Sequence, residues 1–187
     1  MSTRDQLVEA AADLLQRRGY TGTGMAEVLT ESGTTKGSLY FHFPGGKEEL
    51  AGVALRHRGS TMAAFISHLL DSSPDSGTAV AAFAAALAAR LVESDYERGC
   101  ALATATLDAA TESPVIRASC ADGYDSWLSL LAAKLEADGW APDEAADEAV
   151  LTLSALEGAL VLARAQQDPA PLHSVGRMLA RRLTPAR

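Results

Sequence analysis

Residues 23–47 read TGMAEVLTESGTTKGSLYFHFPGGK, and the groups there that can do chemistry are hydroxyls, two lysines, a tyrosine and a histidine. Hydroxyls and ammonium groups donate to anionic oxygens and to base edges, which is the work of holding and reading nucleic acid. Thr23, Thr34, Thr35, Lys36, Gly37 and Ser38 are the candidate DNA contacts. Gly37 enters as the residue whose missing side chain lets a backbone approach a groove wall. The spacing predicts two short helices that carry these groups. The first runs from about Gly24 to Glu31 with Thr23 as its N-cap, and Ser32-Gly33 makes the turn, because glycine tolerates the left-handed backbone. Thr34 or Thr35 caps the second, which ends near Phe41 to Phe43 where Pro44-Gly45-Gly46 stops it. Helix, Gly-containing turn, helix is the helix-turn-helix pattern, whose second helix enters the major groove.

The rest of the chain has to position that pair, and it reads as helix throughout. A first helix from about Arg4 to Arg18 is expected to open on a Thr3–Gln6 capping box, bury Leu7, Ala10, Ala11, Leu14 and Leu15 on one face, and end at Gly19. Met25, Val28, Leu29, Leu39, Phe41 and Phe43 are expected to form the core of this three-helix head. A long helix from about Lys47 to Leu70 leaves the head, and Ser72–Gly77 is a loop. Further helices are expected at about 78–93, 99–111, 114–137, 142–167 and 172–183, with Ser113-Pro114 and Pro142 as helix starts and Asp138-Gly139 and Asp168–Pro171 as breaks. The fold class is therefore all-α, about nine helices, a helix-turn-helix head followed by a larger helical body. The expected domains are residues 1–46 for DNA binding and 47–187 for ligand binding and dimerisation.

The opening helix, the helix-turn-helix, and above all Thr35-Lys36-Gly37-Ser38-Leu39-Tyr40-Phe41-His42-Phe43 followed by Lys47-Glu48-Glu49-Leu50 resemble the N-terminal domain of the TetR family of transcriptional regulators, over about residues 3–55. The resemblance implies that Tyr40, His42 and Lys47 meet backbone phosphates. Gly99-Cys100, the alanine-rich stretch after it, Ser113-Pro114 and Trp127 are similar to the subgroup related to lincomycin- and flavonoid-responsive repressors.

Charge is distributed in a way that suits site-selective binding. The net charge is −8, yet residues 1–60 hold seven basic and seven acidic side chains, so the imbalance lies wholly in the body. An acidic body opposes indiscriminate coating of DNA, because non-specific affinity is set by phosphate neutralisation. The recognition helix has no arginine, which removes the bidentate guanine contact and leaves Lys36 as its one long basic reader.

Catalysis finds no footing. Gly45-Gly46-Lys47 suggests a phosphate loop, but Phe41 stands where the nucleotide-binding pattern needs Gly, and Glu48 where it needs Ser or Thr. The four histidines have no metal-ligand spacing, and Cys100 and Cys120 make neither a disulfide framework nor a metal site. No cofactor and no metal are expected. No uncharged apolar run reaches a membrane span and the N-terminus lacks signal-peptide form, so the expectation is a cytoplasmic protein with no membrane partner.

The body is where the resemblance places an effector and the dimer. Met62, Phe65, Phe83, Leu87, Cys100, Thr104, Leu107, Tyr124, Trp127 and Leu128 are the pocket candidates, apolar with a few polar groups, suited to a small lipophilic or aromatic molecule. Leu151, Ala155, Gly158, Ala159 and Leu162 on the eighth helix, with Val175, Met178 and Leu179 on the ninth, are the dimer candidates, since small residues let helices approach closely. The expected partners are thus a double-stranded operator, a small-molecule effector and a second copy of the chain. The function expected is a repressor released from a palindromic operator. The alternative is a helical ligand-binding or scaffolding protein whose degenerate head does not bind DNA.

Overall fold

The computed structural model describes residues 1–184, and among them it holds nine helices: α1 Thr3–Gly22, α2 Met25–Ser32, α3 Lys36–His42, α4 Gly46–Ser72, α5 Ser76–Glu93, α6 Ala101–Ala109, α7 Pro114–Ala137, α8 Pro142–Gln166 and α9 Ala170–Leu183. The breaks fall where glycine, proline and capping residues put them. Two local expectations are corrected. The capping box opening α1 is Ser2 with Asp5, not Thr3 with Gln6: Asp5 N–H donates to Ser2 Oγ and Ser2 N–H to the Asp5 carboxylate. The N-cap of α2 is Gly24 rather than Thr23.

The described residues pack as two units that follow contacts rather than chain order: residues 1–61 with 100–124, and residues 62–99 with 125–184. In the first, α1 buries Leu7, Ala10, Ala11, Leu14 and Leu15 as its periodicity requires, and Val28, Leu39, Phe43, Leu50 and Leu55 are buried in the same unit. Helix α1 breaks at Gly19, whose φ of 71° only glycine takes without strain. A side chain there would also collide with α6, since a Cβ would lie 2.9 Å from Asp108 Oδ2. The first halves of α4 and α7 cross at backbone contact: a Cβ on Gly59 would stand 3.3 Å from the Gly123 Cα, and one on Gly123 2.4 Å from Leu102 of α6.

In the second unit α5 lies along α9, close enough that a Cβ on Gly176 would meet Ala84 at 2.6 Å. Helix α5 has the length and mean hydropathy of a membrane span, but it carries Arg90 and Glu93 and buries Ala79, Val80, Ala84, Ala88 and Leu91 in this unit. Glu148 of α8 and Arg182 of α9 form a two-pronged ion pair, with Nε 2.6 Å from Oε2. Asp138 accepts from both the backbone N–H and the hydroxyl of Ser76, each at 2.6 Å. Arg164 of α8 donates to the carbonyls of Tyr96 and Glu97 at 3.1 and 3.0 Å, pinning a turn in which Asp95 and Tyr96 have φ of 50° and 60°.

Candidate nucleic-acid interface

Local sequence sets the geometry of α3. Gly33 ends α2 in the left-handed region, with φ 64°, and the chain reverses into Thr35, the N-cap of α3. Thr35 Oγ1 accepts from the Ser38 backbone N–H at 3.2 Å and lies 3.0 Å from the Ser38 hydroxyl. Leu39 and Phe43, four residues apart, share the inner face and are each 1% exposed. The opposite face is Lys36, Gly37, Tyr40 and Phe41, all exposed. Nothing but Thr35 Oγ1, at 3.8 Å, comes within 4 Å of where a Gly37 Cβ would be, so a flat strip of backbone is left bare.

Phe41 is the main correction within the head. It is 81% exposed, not core. Two residues beyond Leu39 is a rotation of about 200°, so the helix cannot bury both, and Leu39 with Phe43 wins the inner face. Among the described residues the ring that Phe41 meets is that of His42, edge-on, with centroids 5.0 Å apart. His42 itself is half-buried between Phe41 and Phe43.

The other candidates divide. Lys36, Gly37, Ser38 and Tyr40 come together on or beside the open face. Thr34 is half-buried with its hydroxyl 2.8 Å from that of Ser32. Thr23 does not reach the surface: it is 3% exposed and its hydroxyl donates to the Gly19 carbonyl at 2.6 Å, mending the break in α1. Lys47 turns inward. Its ammonium sits 4.5 Å from the centre of the Tyr20 ring, and burial pulls its pKa below the usual lysine value while the nearby Asp108 carboxylate works the other way. Tyr20 is pushed up, first by burial and then by the Glu48 charge.

Asp108 was missed by sequence reasoning. It sits at the end of α6, 87 residues from its partner, and accepts from the Thr21 backbone N–H at 2.5 Å. Glu48, at the start of α4, accepts from the Ser113 hydroxyl at 2.5 Å, and Ser113 in turn caps α7 through the Ile116 N–H. Two carboxylates thus tie the end of α1 to α6 and the start of α4 to the turn before α7. No local motif announces either bond, because both join residues far apart in the chain.

The residues named for a pocket fall in both units and are described unit by unit. In the second, Trp127 is buried, Met62, Phe65, Phe83, Leu87 and Leu128 are half-buried, and Phe65 and Phe83 meet with ring centroids 6.1 Å apart. In the first, Cys100 and Tyr124 are half-buried, and Thr104 donates its hydroxyl to the Cys100 carbonyl and sets its methyl against Gly19. Leu107 is corrected: it is 86% exposed, because Ala105 and Ala109 take the buried side of α6. Of the dimer candidates, Leu151, Gly158, Leu162 and Met178 are exposed and Ala155 and Val175 partly so, whereas Ala159 and Leu179 are buried in the chain's own core.

A helix-turn-helix whose second helix turns a lysine, a tyrosine and a bare glycine strip to solvent, within an all-helical chain, defines a DNA-binding regulator. The TetR-family profile described as bacterial regulatory proteins matches residues 7–53, and the profile of the LmrA/YxaF-like transcriptional regulator C-terminal domain matches residues 76–178. The chain belongs to the TetR family. It is 36% identical to the uncharacterized HTH-type transcriptional regulator Rv0196 of Mycobacterium tuberculosis, over 94% of this chain and 91% of that protein. It is 29% identical to the HTH-type transcriptional regulator LmrA of Bacillus subtilis, over 91% and 90%. Reduced NemR of E. coli shares the fold with a TM-score of 0.87 at 22% identity, covering 99% of both chains. A cysteine-substituted CifR solved with 26-base-pair operator DNA does so with a TM-score of 0.80 at 25% identity, covering 95% of both. The family and these relatives are transcriptional regulators, not enzymes. DNA binding therefore stands over the scaffolding alternative.

Proposed function

We propose that the protein is a homodimeric, cytoplasmic repressor that holds a palindromic operator and releases it when a small lipophilic or aromatic molecule binds the body. Residues 1–46 read the DNA, and residues 47–187 supply the effector site and the dimer contacts. The observation that carries the reading is the bond from Thr21 of the head to Asp108 of α6, beside the bond from Ser113, ahead of α7, to Glu48 at the start of α4. A head tied by directional hydrogen bonds to helices of the body takes its orientation from them. Any molecule that shifts those helices then changes the spacing of two heads on DNA. The effector needs only to prefer the state with misplaced heads, and a coupling of about 1–3 kcal/mol is typical.

The second part of the reading is the exposed face of α8 and α9. Leu151, Ala155, Gly158 and Leu162 recur at helical spacing, and Met178 of α9 is 64% exposed. Leaving such a stripe in water is costly, and a second copy covers it in a self-complementary contact. Two heads about one turn of DNA apart, roughly 34 Å, then match a palindrome. The aromatic pair Phe65–Phe83 with Leu87, Trp127 and Leu128 is the part of the body suited to a flat effector.

The test is a binding assay of the purified protein on its own upstream DNA, with lincomycin and a flavonoid as trial effectors. Binding that an effector weakens at least fivefold, and that Lys36→Ala and Tyr40→Ala each weaken at least tenfold, supports the reading. Unchanged operator affinity in both variants overturns the assigned face. Tight binding that no tested compound of either class alters counts against the effector assignment.

A further inference from the structure

We infer that Phe41 is a specificity-determining residue that reads thymine methyl groups in the major groove, an assignment that rests on the DNA-binding role of α3. The open face of α3 consists of two lines running along the helix. Lys36 and Tyr40, four apart, make a polar line; Gly37 and Phe41, also four apart, make an apolar one. Side chains on a helix lean toward its N-terminus and cover the turn before their own Cα. The Phe41 ring therefore stands beside the strip that Gly37 leaves bare, where only Thr35 Oγ1, at 3.8 Å, comes within 4 Å of a built Cβ.

A phenylalanine that is 81% exposed gains nothing from the fold. Its only ring neighbours within the head lie to one side, at His42. What it needs is an apolar group presented to α3. In the major groove one base edge offers such a group, the C5-methyl of thymine, and phenylalanine is among the side chains that contact it. The absence of arginine from α3 adds to the argument. Without a bidentate guanine reader, discrimination between base pairs has to come from other terms, and an apolar contact of defined position is one. Lys36 on the neighbouring line supplies charge, which anchors but discriminates less.

The experiment replaces thymine by uracil, which removes the methyl and keeps the pairing. The preferred site is selected from a random DNA pool with wild-type protein, and each thymine of one half-site is then replaced in turn. Fluorescence anisotropy gives the affinities of wild type, Phe41→Ala and Phe41→Leu. The expected result is one or two thymines per half-site whose demethylation weakens wild type about fourfold, ~0.8 kcal/mol at 1.4 kcal/mol per tenfold, the worth of one buried methyl group. Phe41→Ala should bind both versions equally, and Phe41→Leu should retain part of the difference. The salt dependence of binding should be unchanged in Phe41→Ala, since no phosphate contact is lost, whereas Lys36→Ala lowers the slope by about one. Melting curves matching wild type show that Phe41→Ala is folded. A protein that selects and binds a site but senses every methyl identically in wild type and Phe41→Ala overturns the inference while leaving the DNA-binding reading intact. Failure to select any sequence overturns both.

Discussion

Among the helices that leave large apolar side chains in water, α3 and α8 do it differently. On α3 the exposed residue is a single Phe41 set among Lys36, Gly37 and Tyr40. On α8 the exposed residues form a row, Leu151 and Leu162 with Val150 and Val161 beside them, and Met178 of α9 is exposed as well. A lone ring among donors suits a surface that is mostly polar and anionic with an occasional methyl, which is the wall of a DNA groove. A row of aliphatic side chains with small residues between them suits another helix. The same departure from the rule that apolar groups are buried thus points to two kinds of partner, and the neighbours of each side chain separate them.

The largest effect should come from breaking the row. Leu151→Glu with Leu162→Glu places carboxylates on the α8 face without touching the buried Leu153, Leu156 and Leu160 behind it. The expected outcome is a folded chain whose mass by light scattering falls from two copies to one. Operator affinity should drop about 100-fold or more, because the second head no longer benefits from the first being bound. A dimer that survives both charges would mean that the row faces something other than a second copy.

Next in size is a contrast within α3 itself. Leu39→Ala removes a side chain that is 1% exposed, and such changes cost about 2–5 kcal/mol. Phe41→Ala removes a larger side chain but one in water, and should change stability by no more than about 0.5 kcal/mol. Thermal melting of the two variants should therefore separate clearly, with Leu39→Ala low and Phe41→Ala at the wild-type midpoint. Equal destabilisation would place Phe41 back in the core where its hydrophobicity alone would put it.

That pair of residues also marks how far the sequence reaches. All nine helices, the Gly19 break and the Gly33 turn were legible because each depends on residues within a turn or two of it. Lys36, Gly37 and Tyr40 were legible as an open face for the same reason. Phe41 was not, because hydrophobicity outweighed its position opposite Leu39 in the reading of the motif. Thr23 looked like a cap and became a buried mend for the α1 carbonyl, since the distortion at Gly19 exposes an acceptor four residues back. Lys47 looked like a phosphate donor and found the Tyr20 ring. Asp108 was invisible: its importance lies in a bond to the Thr21 N–H across 87 residues, which nothing around position 108 encodes.

Asp108 therefore gives the third way to sharpen the comparison, because it bonds to the end of α1 without lying on the open face of α3. Asp108→Ala removes both the acceptor for Thr21 and the charge facing Lys47. Asp108→Asn keeps an acceptor and loses the charge. Operator affinity should fall about tenfold in the alanine variant, within the usual range of coupling energies, and less in the asparagine variant. Dimer mass should be unchanged in both. Wild-type affinity in Asp108→Ala would show that the head is oriented without the α6 bond.

The smallest effect belongs to the Glu148–Arg182 pair of the second unit and concerns pH. Arg182 donates to both oxygens of Glu148, and these hydrogen bonds hold its pKa below the ordinary 4.5, with the guanidinium charge adding to them and burial opposing. A carboxylate whose folded pKa is depressed binds fewer protons folded than unfolded, so its contribution is fully present above the unfolded value and is lost as pH falls through the folded one. The midpoint difference between wild type and Glu148→Gln should accordingly be constant from neutral pH down to about one unit above 4.5, and shrink below it. Because the pair joins α8 to α9, its loss in acid should loosen the packing of those two helices. Thermal melts of the two proteins across this range check it, and a midpoint difference that does not shrink in acid would mean that the pair does not hold the helices together.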